Sequence, residues 1–196
     1  MAKTQYYCAA TLDGYIADPD DGIDWLTGYE GSYEGEAAAA SPMGEGGGYE
    51  RFYEEVGALV SGSATYEWVL DHYSDPWPYL DKPWWVLSSR EQAIPAGDGI
   101  DVRVREGEVA GLHEQMIAAA GGRNLWVLGG GGVASQLAEA GLLDEVLLTV
   151  VPVVLGQGKP LFEDPLPAPM ELFGADAFGN GMVELRYRVA ARAPGA

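Results

Sequence analysis

The chain has 196 residues, with 30 Asp or Glu against 11 Lys or Arg, so its formal net charge is −19. Such an acidic chain is not expected to bind nucleic acid through a general basic surface, or to be drawn to anionic lipid. One cysteine, Cys8, and two histidines exclude an intrachain disulfide and argue against a metal centre. The length and a hydrophobic fraction of 47% indicate one packed domain over residues 1–196.

Export and membrane signals are not expected from this sequence. The first 17 residues include Lys3 and Asp13 and lack the uninterrupted apolar stretch of a signal peptide. The longest apolar stretch, residues 142–155, contains Asp144, Glu145 and Pro152, so it is too short and too charged to span a bilayer. We therefore expect a cytoplasmic protein in a reducing compartment.

The hydrophobic pattern predicts strands and helices in alternation. Strands are predicted at residues 5–11, 58–60, 84–87, 101–104, 124–128, 145–152, 170–173 (extending toward 178) and 182–190. Helices are predicted at residues 49–56, 65–70, 108–120 and 132–140. Strand–helix–strand units favour parallel pairing, and the turn at 178–181 predicts a C-terminal antiparallel hairpin. The expected fold class is α/β, with a mixed, mostly parallel sheet of about eight strands and helices on both faces.

The segment 28–48 departs from this alternation. It holds seven glycines and four consecutive alanines, a composition typical of a mobile loop with one helical turn at most. The first 60 residues carry 12 acids and 2 bases. This charge pattern indicates a solvated acidic face, with the alternative that one of the acids lines a site.

A run of four glycines, residues 129–132, separates a predicted strand from a predicted helix. Glycines let the backbone approach a ligand closely, and the N–H groups that begin a helix suit a phosphate. A Walker A loop would need Gly-Lys-Ser/Thr, and no Lys is present here. A Rossmann fold would need an acid about 20 residues further on, where Thr149 and Val150 stand instead. The run therefore predicts a phosphate-binding turn of another kind, with a tight structural turn as the alternative.

Two weaker motifs follow other predicted strands. The segment 62–65 enters a helix through small and hydroxyl residues, and the segment 88–90 ends in an arginine that could hold a phosphate. The candidate residues are Gly62, Ser63, Thr65, Ser88, Ser89 and Arg90. All of them lie at the carboxyl ends of predicted parallel strands, where open α/β sheets bind their ligands.

The order of these motifs resembles the dihydrofolate reductase superfamily. The segments that carry the resemblance are AATLDGYIA, DWL, VSGSATYE, WVLSSRE, WVLGGGG and DEVLLTVVPVVLGQGKPLF. They look closest to the branch that contains the C-terminal reductase domain of the bifunctional riboflavin-biosynthesis deaminase-reductase, and the likeness spans residues 4–190. The resemblance implies a mixed eight-stranded sheet that binds NADPH across the carboxyl ends of its strands.

The resemblance also implies a role for each matching residue. Ala10 and Ile16 would pack beside the nicotinamide, and Trp25 beside the reacting ring. Thr149 would support the substrate site. The other cofactor contacts would be Gly62, Ser63 and Thr65 at the phosphates, Ser88, Ser89 and Arg90 near the adenosine ribose and its 2′-phosphate, and Gly129, Gly130, Gly131, Gly132 and Val133 around the pyrophosphate.

Two positions depart from the family's pattern. Ser63 stands where the family usually has Arg, so we expect NADPH to be preferred over NADH less sharply, with Arg90 or an arginine of the next strand meeting the 2′-phosphate. The carboxylate that assists protonation in folate reductases has two candidates. Glu30 has the right spacing from Trp25, and Glu50 has the right position at a helix start.

The leading hypothesis from the sequence is an NAD(P)H-dependent reductase. It would transfer hydride to a C=N or C=O carbon of a small heterocyclic substrate, similar to 5-amino-6-(5-phosphoribosylamino)uracil. The alternatives are a non-catalytic nucleotide-binding or dimerisation module of the same fold, and a true dihydrofolate reductase. The resemblance also implies a homodimer, with the strand at 146–154 and the terminal hairpin as the available sheet edges.

Overall fold

The computed structural model describes residues 2–29, 48–73, 76–166 and 168–190. The strands in this part of the chain are β1 (Thr4–Thr11), β2 (Tyr15–Ala17), β3 (Val56–Gly62), β4 (Trp84–Leu87), β5 (Val102–Arg105), β6 (Asn124–Gly129), β7 (Glu145–Val151), β8 (Lys159–Pro160), β9 (Glu171–Ala177) and β10 (Val183–Arg188). The helices are α1 (Asp24–Thr27), α2 (Gly48–Glu55), α3 (Ser63–His72), α4 (Val109–Ala119) and α5 (Gly131–Glu139).

Eight strands form one sheet in the order β5-β4-β3-β6-β1-β7-β10-β9. The first six strands in that order are parallel to one another, and β10 pairs antiparallel with both β7 and β9. Strands β2 and β8 make a separate two-stranded sheet. The carboxyl ends of the parallel strands therefore lie along one edge of the large sheet, where the loops that follow them come together.

Each face of the large sheet is covered by a different pair of helices. On one face, α4 and α5 bury Val109, Met116 and Leu137 against the central strands. On the other face, α2 and α3 pack through Phe52 and Tyr66 against an aromatic cluster centred on β4 and β6. Burial on both faces explains why the central strands are nearly continuous apolar runs rather than alternating ones.

The predicted fold class is confirmed by this arrangement. All eight predicted strands are present, and the bounds of β4 agree residue for residue because four apolar residues stand between Pro83 and Ser88. The four predicted helices are present as α2 to α5, each with bounds within two residues of the prediction. Strands β2 and β8 and helix α1 were not predicted, because two to four residues carry too little periodicity to be recognised.

One expectation about the sheet edges is wrong. The strand predicted at 146–154 is β7, which lies between β1 and β10 and has no free edge. The edges are β5 and β9, so the terminal hairpin supplies an edge as expected. Most of the predicted loop, residues 30–47, lies outside the described residues. Among the residues that are described, no helix is long and apolar enough to cross a membrane.

Candidate functional site

Two cavities open side by side where the parallel strands end. The smaller cavity, of about 330 Å³, lies beyond the ends of β3, β4 and β5. The larger cavity, of about 570 Å³, lies over β1 and β6 and beneath α2 and α3. Neighbouring residues of the chain line both cavities. Gly129 and Gly130 line the larger cavity, and Gly132 and Val133 line the smaller one. The two cavities therefore flank the start of α5.

The smaller cavity is lined by glycines and serines together with four larger side chains. Its lining residues are Gly62, Leu87, Ser88, Ser89, Glu106, Gly107, Gly132, Val133 and Gln136. Ser88 is held in place because its hydroxyl accepts a hydrogen bond from the Arg90 backbone N–H at 3.0 Å. A cleft of this kind offers hydroxyl and amide groups to a polar ligand.

The N-termini of two helices meet between the cavities. Helix α3 begins after Gly62 and α5 after Gly130, and neither helix has a side-chain cap for its first N–H groups. A Cβ on Gly130 would lie 3.7 Å from the Gly62 backbone nitrogen, so the two helix starts are in contact. Uncapped first turns of helices bind anions through their N–H groups and the positive end of the helix dipole.

Two glycines of the run are needed for the local backbone rather than for a ligand. Gly130 has φ +92°, a left-handed conformation that side chains with a Cβ adopt rarely. A Cβ on Gly131 would lie 2.5 Å from the Pro160 carbonyl oxygen, so this glycine lets α5 pack against the loop that carries β8. The glycine run is thus explained in part by the tight structural turn that the sequence left open as an alternative.

An aromatic wall surrounds the larger cavity. Seven aromatic residues line it: Tyr6, Tyr7, Tyr49, Trp68, Tyr73, Tyr79 and Trp126. Trp126 lies at the centre of the wall, with ring centroids 5.2 Å from Phe52, 5.9 Å from Tyr79 and 6.0 Å from Tyr49. Its indole N–H donates to the Tyr7 carbonyl at 3.0 Å. A cavity of this composition suits a flat, unsaturated ring.

Three polar side chains lie together on the floor of the larger cavity. Tyr7 and Thr149 line it, and the Tyr7 hydroxyl donates to Glu184 Oε2 at 3.2 Å. Arg186 donates to the other carboxylate oxygen of Glu184 at 2.7 Å. Burial, and then the neighbouring Glu184 charge, hold the pKa of Tyr7 well above its usual range, while the nearby Thr149 hydroxyl has a smaller opposing effect. The phenol therefore keeps its proton at neutral pH.

Charged groups are few at both cavities. Asp21, Lys159 and Glu163 line the larger one, and Lys159 pairs with Asp21 at 3.5 Å. Near the smaller cavity, Arg90 Nη2 pairs with Glu67 at 2.9 Å, and the same nitrogen donates to the Ser63 hydroxyl at 3.3 Å. Arg90 thus sits beside the start of α3 but shares its charge with an acid.

The predicted cofactor residues come together around these two cavities. Gly62, Ser88, Ser89, Gly132 and Val133 line the smaller one, and Ile16, Thr65, Gly129 and Gly130 line the larger one. Gly131 lies between them and packs against Pro160. Ser63 and Arg90 lie at the start of α3 without lining either cavity. On β1 the cavity is lined by Ala9, whereas Ala10 is 1% exposed and points to the opposite face of the strand.

The predicted catalytic residues are less well grouped. Thr149 lines the larger cavity, and Trp25 packs beside it with Ile23 and Ala9. Glu50 is exposed in the first turn of α2 and does not line the cavity, whereas its neighbour Tyr49 does. Glu30 lies outside the described residues.

Sequence reasoning missed Tyr7, Trp126 and Glu184. Both Tyr7 and Trp126 stand in predicted strands; no motif marks Tyr7, and the WVLGGGG segment draws attention to its glycines rather than to Trp126. Glu184 stands in an alternating strand, MVELRYRVA, in which polar residues are expected to face water. It is 4% exposed because the start of α2 covers it: a Cβ on Gly48 would lie 3.4 Å from Glu184 Oε2.

Comparisons with known proteins agree with this geometry. A model of the RibD C-terminal domain matches residues 111–184. The chain is 33% identical over 186 residues to the uncharacterized protein YwjB of Bacillus subtilis (strain 168), over 94% of this chain and 97% of that protein. A crystal structure is known for a protein from Shewanella sp. PV-4 that is assigned provisionally to riboflavin biosynthesis. It is 27% identical to this chain, with a TM-score of 0.76, and the match covers 97% of this chain and 99% of the other.

A more distant structure shows the shared fold. Dihydrofolate reductase from Enterococcus faecalis, solved with NADP(H), has TM-score 0.56 and 17% identity, over 96% of this chain and 97% of that one. At this identity the likeness shows that the two chains share a fold. The chain belongs to the family of proteins with a RibD C-terminal domain, and it shares the dihydrofolate reductase fold.

Proposed function

We propose that this protein is an NAD(P)H-dependent reductase that transfers hydride to a C=N or C=O carbon of a small heterocyclic substrate. The observation that supports this most directly is the pair of cavities joined at two uncapped helix starts. A nicotinamide dinucleotide has the matching parts, since an adenosine and a nicotinamide are joined by a pyrophosphate. Membership of a reductase family supports the same reaction class.

The cofactor would take the smaller cavity with its adenosine half and the larger with its nicotinamide half. The first turns of α3 and α5 would hold the pyrophosphate, and Ser88, Ser89 and Arg90 would contact the adenosine ribose and its 2′-phosphate. Ala9 and Ile16 would contact the nicotinamide in the larger cavity. Bound there, the nicotinamide supplies the hydride.

The substrate would be a flat heterocycle beside the nicotinamide. The aromatic wall around Trp126 would orient the ring and exclude water, which places the two reacting carbons together. Lys159 is the cation that lines the larger cavity within the described residues, so it would meet a phosphate if the substrate is a phosphoribosylaminopyrimidine. The segment 30–47 contains no Lys or Arg, so it would not add a second cation.

Within the described residues, the carboxylate at the floor of the larger cavity is Glu184, and Arg186 and Tyr7 engage it, so it would not donate the proton that follows the hydride. Glu30 remains a predicted donor, and the exposed position of Glu50 makes it a donor through water at best. We propose that a water molecule at the cavity mouth delivers the proton.

The direct test is to titrate the protein with NADPH and with NADH. Binding is measured by intrinsic tryptophan fluorescence and by calorimetry. Micromolar binding of either cofactor supports the proposal, and turnover is then measured with pteridine and ribosylaminopyrimidine substrates. Binding of cofactor with no turnover of any substrate would favour the non-catalytic module, and turnover of dihydrofolate alone would favour a true dihydrofolate reductase. No binding of either cofactor would overturn the proposal.

We also propose that the protein is a cytoplasmic homodimer that associates through the hairpin edge. Strand β9 is an edge of the sheet, and Leu172 and Phe173 on it are 51% and 38% exposed. Exposed edges with apolar side chains tend to be covered by a partner. Light scattering should give twice the monomer mass of 20.9 kDa, and a monomer at micromolar concentration would contradict this.

A further inference from the structure

Three side chains from three strands converge on the floor of the larger cavity. In the register of the sheet, Ala9 pairs with Thr149, and Thr149 pairs in turn with Glu184. Tyr7 stands two residues before Ala9, so strand alternation places Tyr7, Thr149 and Glu184 on the same face. All three are at least 95% buried, although Tyr7 and Thr149 line the cavity.

The direction of the hydrogen bonds in this cluster is fixed by the carboxylate. Glu184 is paired with Arg186 at 2.7 Å, and an ionised carboxylate can only accept hydrogen bonds. The single phenol proton of Tyr7 is therefore committed to Glu184, at 3.2 Å. What the Tyr7 oxygen has left is its capacity to accept.

Thr149 is the next hydroxyl group in this chain of hydrogen bonds, and it lines the cavity. Its hydroxyl oxygen is buried and makes no hydrogen bond of normal geometry to any described residue, although it lies close to the Tyr7 phenol. A hydroxyl beside an oxygen that can only accept turns its own proton toward that oxygen. Its lone pairs are then without a donor, although Thr149 lines the larger cavity. A bound molecule with an N–H group could supply that missing donor.

We infer that Glu184, acting through Tyr7 and Thr149, makes the floor of the larger cavity a hydrogen-bond acceptor that selects heterocycles presenting an N–H donor. Thr149 contacts the substrate, and Tyr7 and Glu184 are positioning residues that set the direction of the hydrogen bonds. A ring that presents a carbonyl oxygen at the same place meets acceptors only, which is unfavourable in a buried site. The inference rests on the proposed function, because it names the class of substrate that the reductase takes.

The experiment compares two ligands that differ in one ring substituent. Pterin carries an amino donor where lumazine carries a carbonyl acceptor, and the binding of each is followed by quenching of tryptophan fluorescence. We expect the wild-type protein to prefer pterin by about tenfold or more, which corresponds to about 1.4 kcal/mol. The variant Glu184→Gln should lose most of this preference, because a carboxamide can donate to the Tyr7 oxygen and reverse the chain of hydrogen bonds.

Two further variants separate this role from a structural one. Tyr7→Phe should also reduce the ratio of the two affinities, since it disconnects Glu184 from Thr149. Glu171→Gln is the matched control, because Glu171 is also a strand carboxylate paired with an arginine, at 3.5 Å from Arg188, but does not line the cavity. It should leave the ratio unchanged.

The inference is overturned if wild type does not prefer pterin, including the case in which neither ligand binds. It is also overturned if Glu184→Gln and Tyr7→Phe weaken both ligands equally, as a purely structural role would. Cofactor titration of the same variants keeps the two proposals apart. Normal NADPH binding with an unchanged ligand ratio rejects this inference alone, and absent cofactor binding with the expected ratio rejects the proposed function alone.

Discussion

The two cavities are constructed from different materials. The smaller one consists of strand ends, glycines and hydroxyl side chains, and its shape is set by the backbone. The larger one consists of aromatic side chains contributed by β1, β6, α2 and α3 and by the segment around Tyr79. The difference teaches that a cleft at strand ends needs few specific side chains, whereas an aromatic cavity is determined by residues scattered along the sequence.

The largest expected effect comes from removing the centre of the aromatic wall. Trp126 is 4% exposed and packs against Phe52 and Tyr79, so Trp126→Ala should lower the free energy of unfolding by about 3–5 kcal/mol. The measurement is denaturant unfolding. Trp68→Ala is the matched control, because Trp68 is half-buried and stacks on His72, and it should lose less than half as much. Equal losses would show that the wall does not depend on Trp126.

A side chain added at Gly62, in the smaller cavity, should have the opposite effect: it should weaken ligand binding while the free energy of unfolding changes little. A Cβ there would meet only Val133 Cγ2 at 3.9 Å, and the backbone φ of −75° suits any residue. Gly62→Val should therefore leave stability nearly unchanged while it fills the cleft and weakens cofactor binding by about tenfold or more. Calorimetric titration gives the affinity. Gly111→Val, on the open surface of α4, is the control, and equal cofactor affinity in both variants would contradict a cofactor in this cleft.

Changes to the charged residues beside the smaller cavity should have an intermediate effect, on the ratio of the affinities for NADPH and NADH. Glu67 pairs with Arg90 and would compete with a bound 2′-phosphate for it, so Glu67→Gln should increase the preference for NADPH over NADH severalfold. Arg90→Ala should reduce that preference by about tenfold and leave NADH affinity nearly unchanged. Both cofactors are titrated into both variants. If Arg90→Ala weakens NADPH and NADH equally, Arg90 does not contact the 2′-phosphate.

The smallest expected effect lies away from both cavities, at His113. Its ring nitrogen makes a hydrogen bond of 2.8 Å with the Thr4 hydroxyl, and burial lowers its pKa, partly offset by Asp144 and Glu114. Because the folded state holds the proton less tightly than the unfolded state does, this contribution to stability is present above pH about 6.5 and is lost as the pH falls through the lowered pKa. His113→Gln should flatten the dependence of the unfolding midpoint on pH between about pH 7 and pH 5, with His72→Gln as the control. An unchanged slope would contradict this.

The same contrast between the cavities explains what the sequence could predict. Runs such as residues 84–87 and 124–129 are local, and the glycines and hydroxyls that follow strands mark the smaller cavity because they must stand next to one another. The sequence cannot decide whether Ala9 or Ala10 lines the cavity, because a one-residue shift reverses the face of a strand and the local sequence does not fix the face when both sides are buried.

The floor of the larger cavity could not be predicted, for a different physical reason. The strand that carries Glu184 alternates polar and apolar residues, and such alternation predicts a side chain in water. Only the packing of the α2 start over β10 turns that side chain into a buried partner of Tyr7, 177 residues away in sequence. Burial of this kind depends on tertiary contacts that no window of neighbouring residues contains.

The sheet order also has a consequence for the rate at which the protein folds. Strand β1 is the first strand of the chain, yet its two neighbours are β6 and β7, which pair Gln5 with Trp126 and with Glu145. Loop-closure entropy must be overcome before contacts of such long range can stabilise anything, so folding should be slow for a domain of this length. The N-terminal half, as it leaves the ribosome, has strands without partners and exposed apolar surface. The floor of the larger cavity therefore forms late, since its Tyr7–Glu184 hydrogen bond joins residues that are 177 positions apart in the sequence.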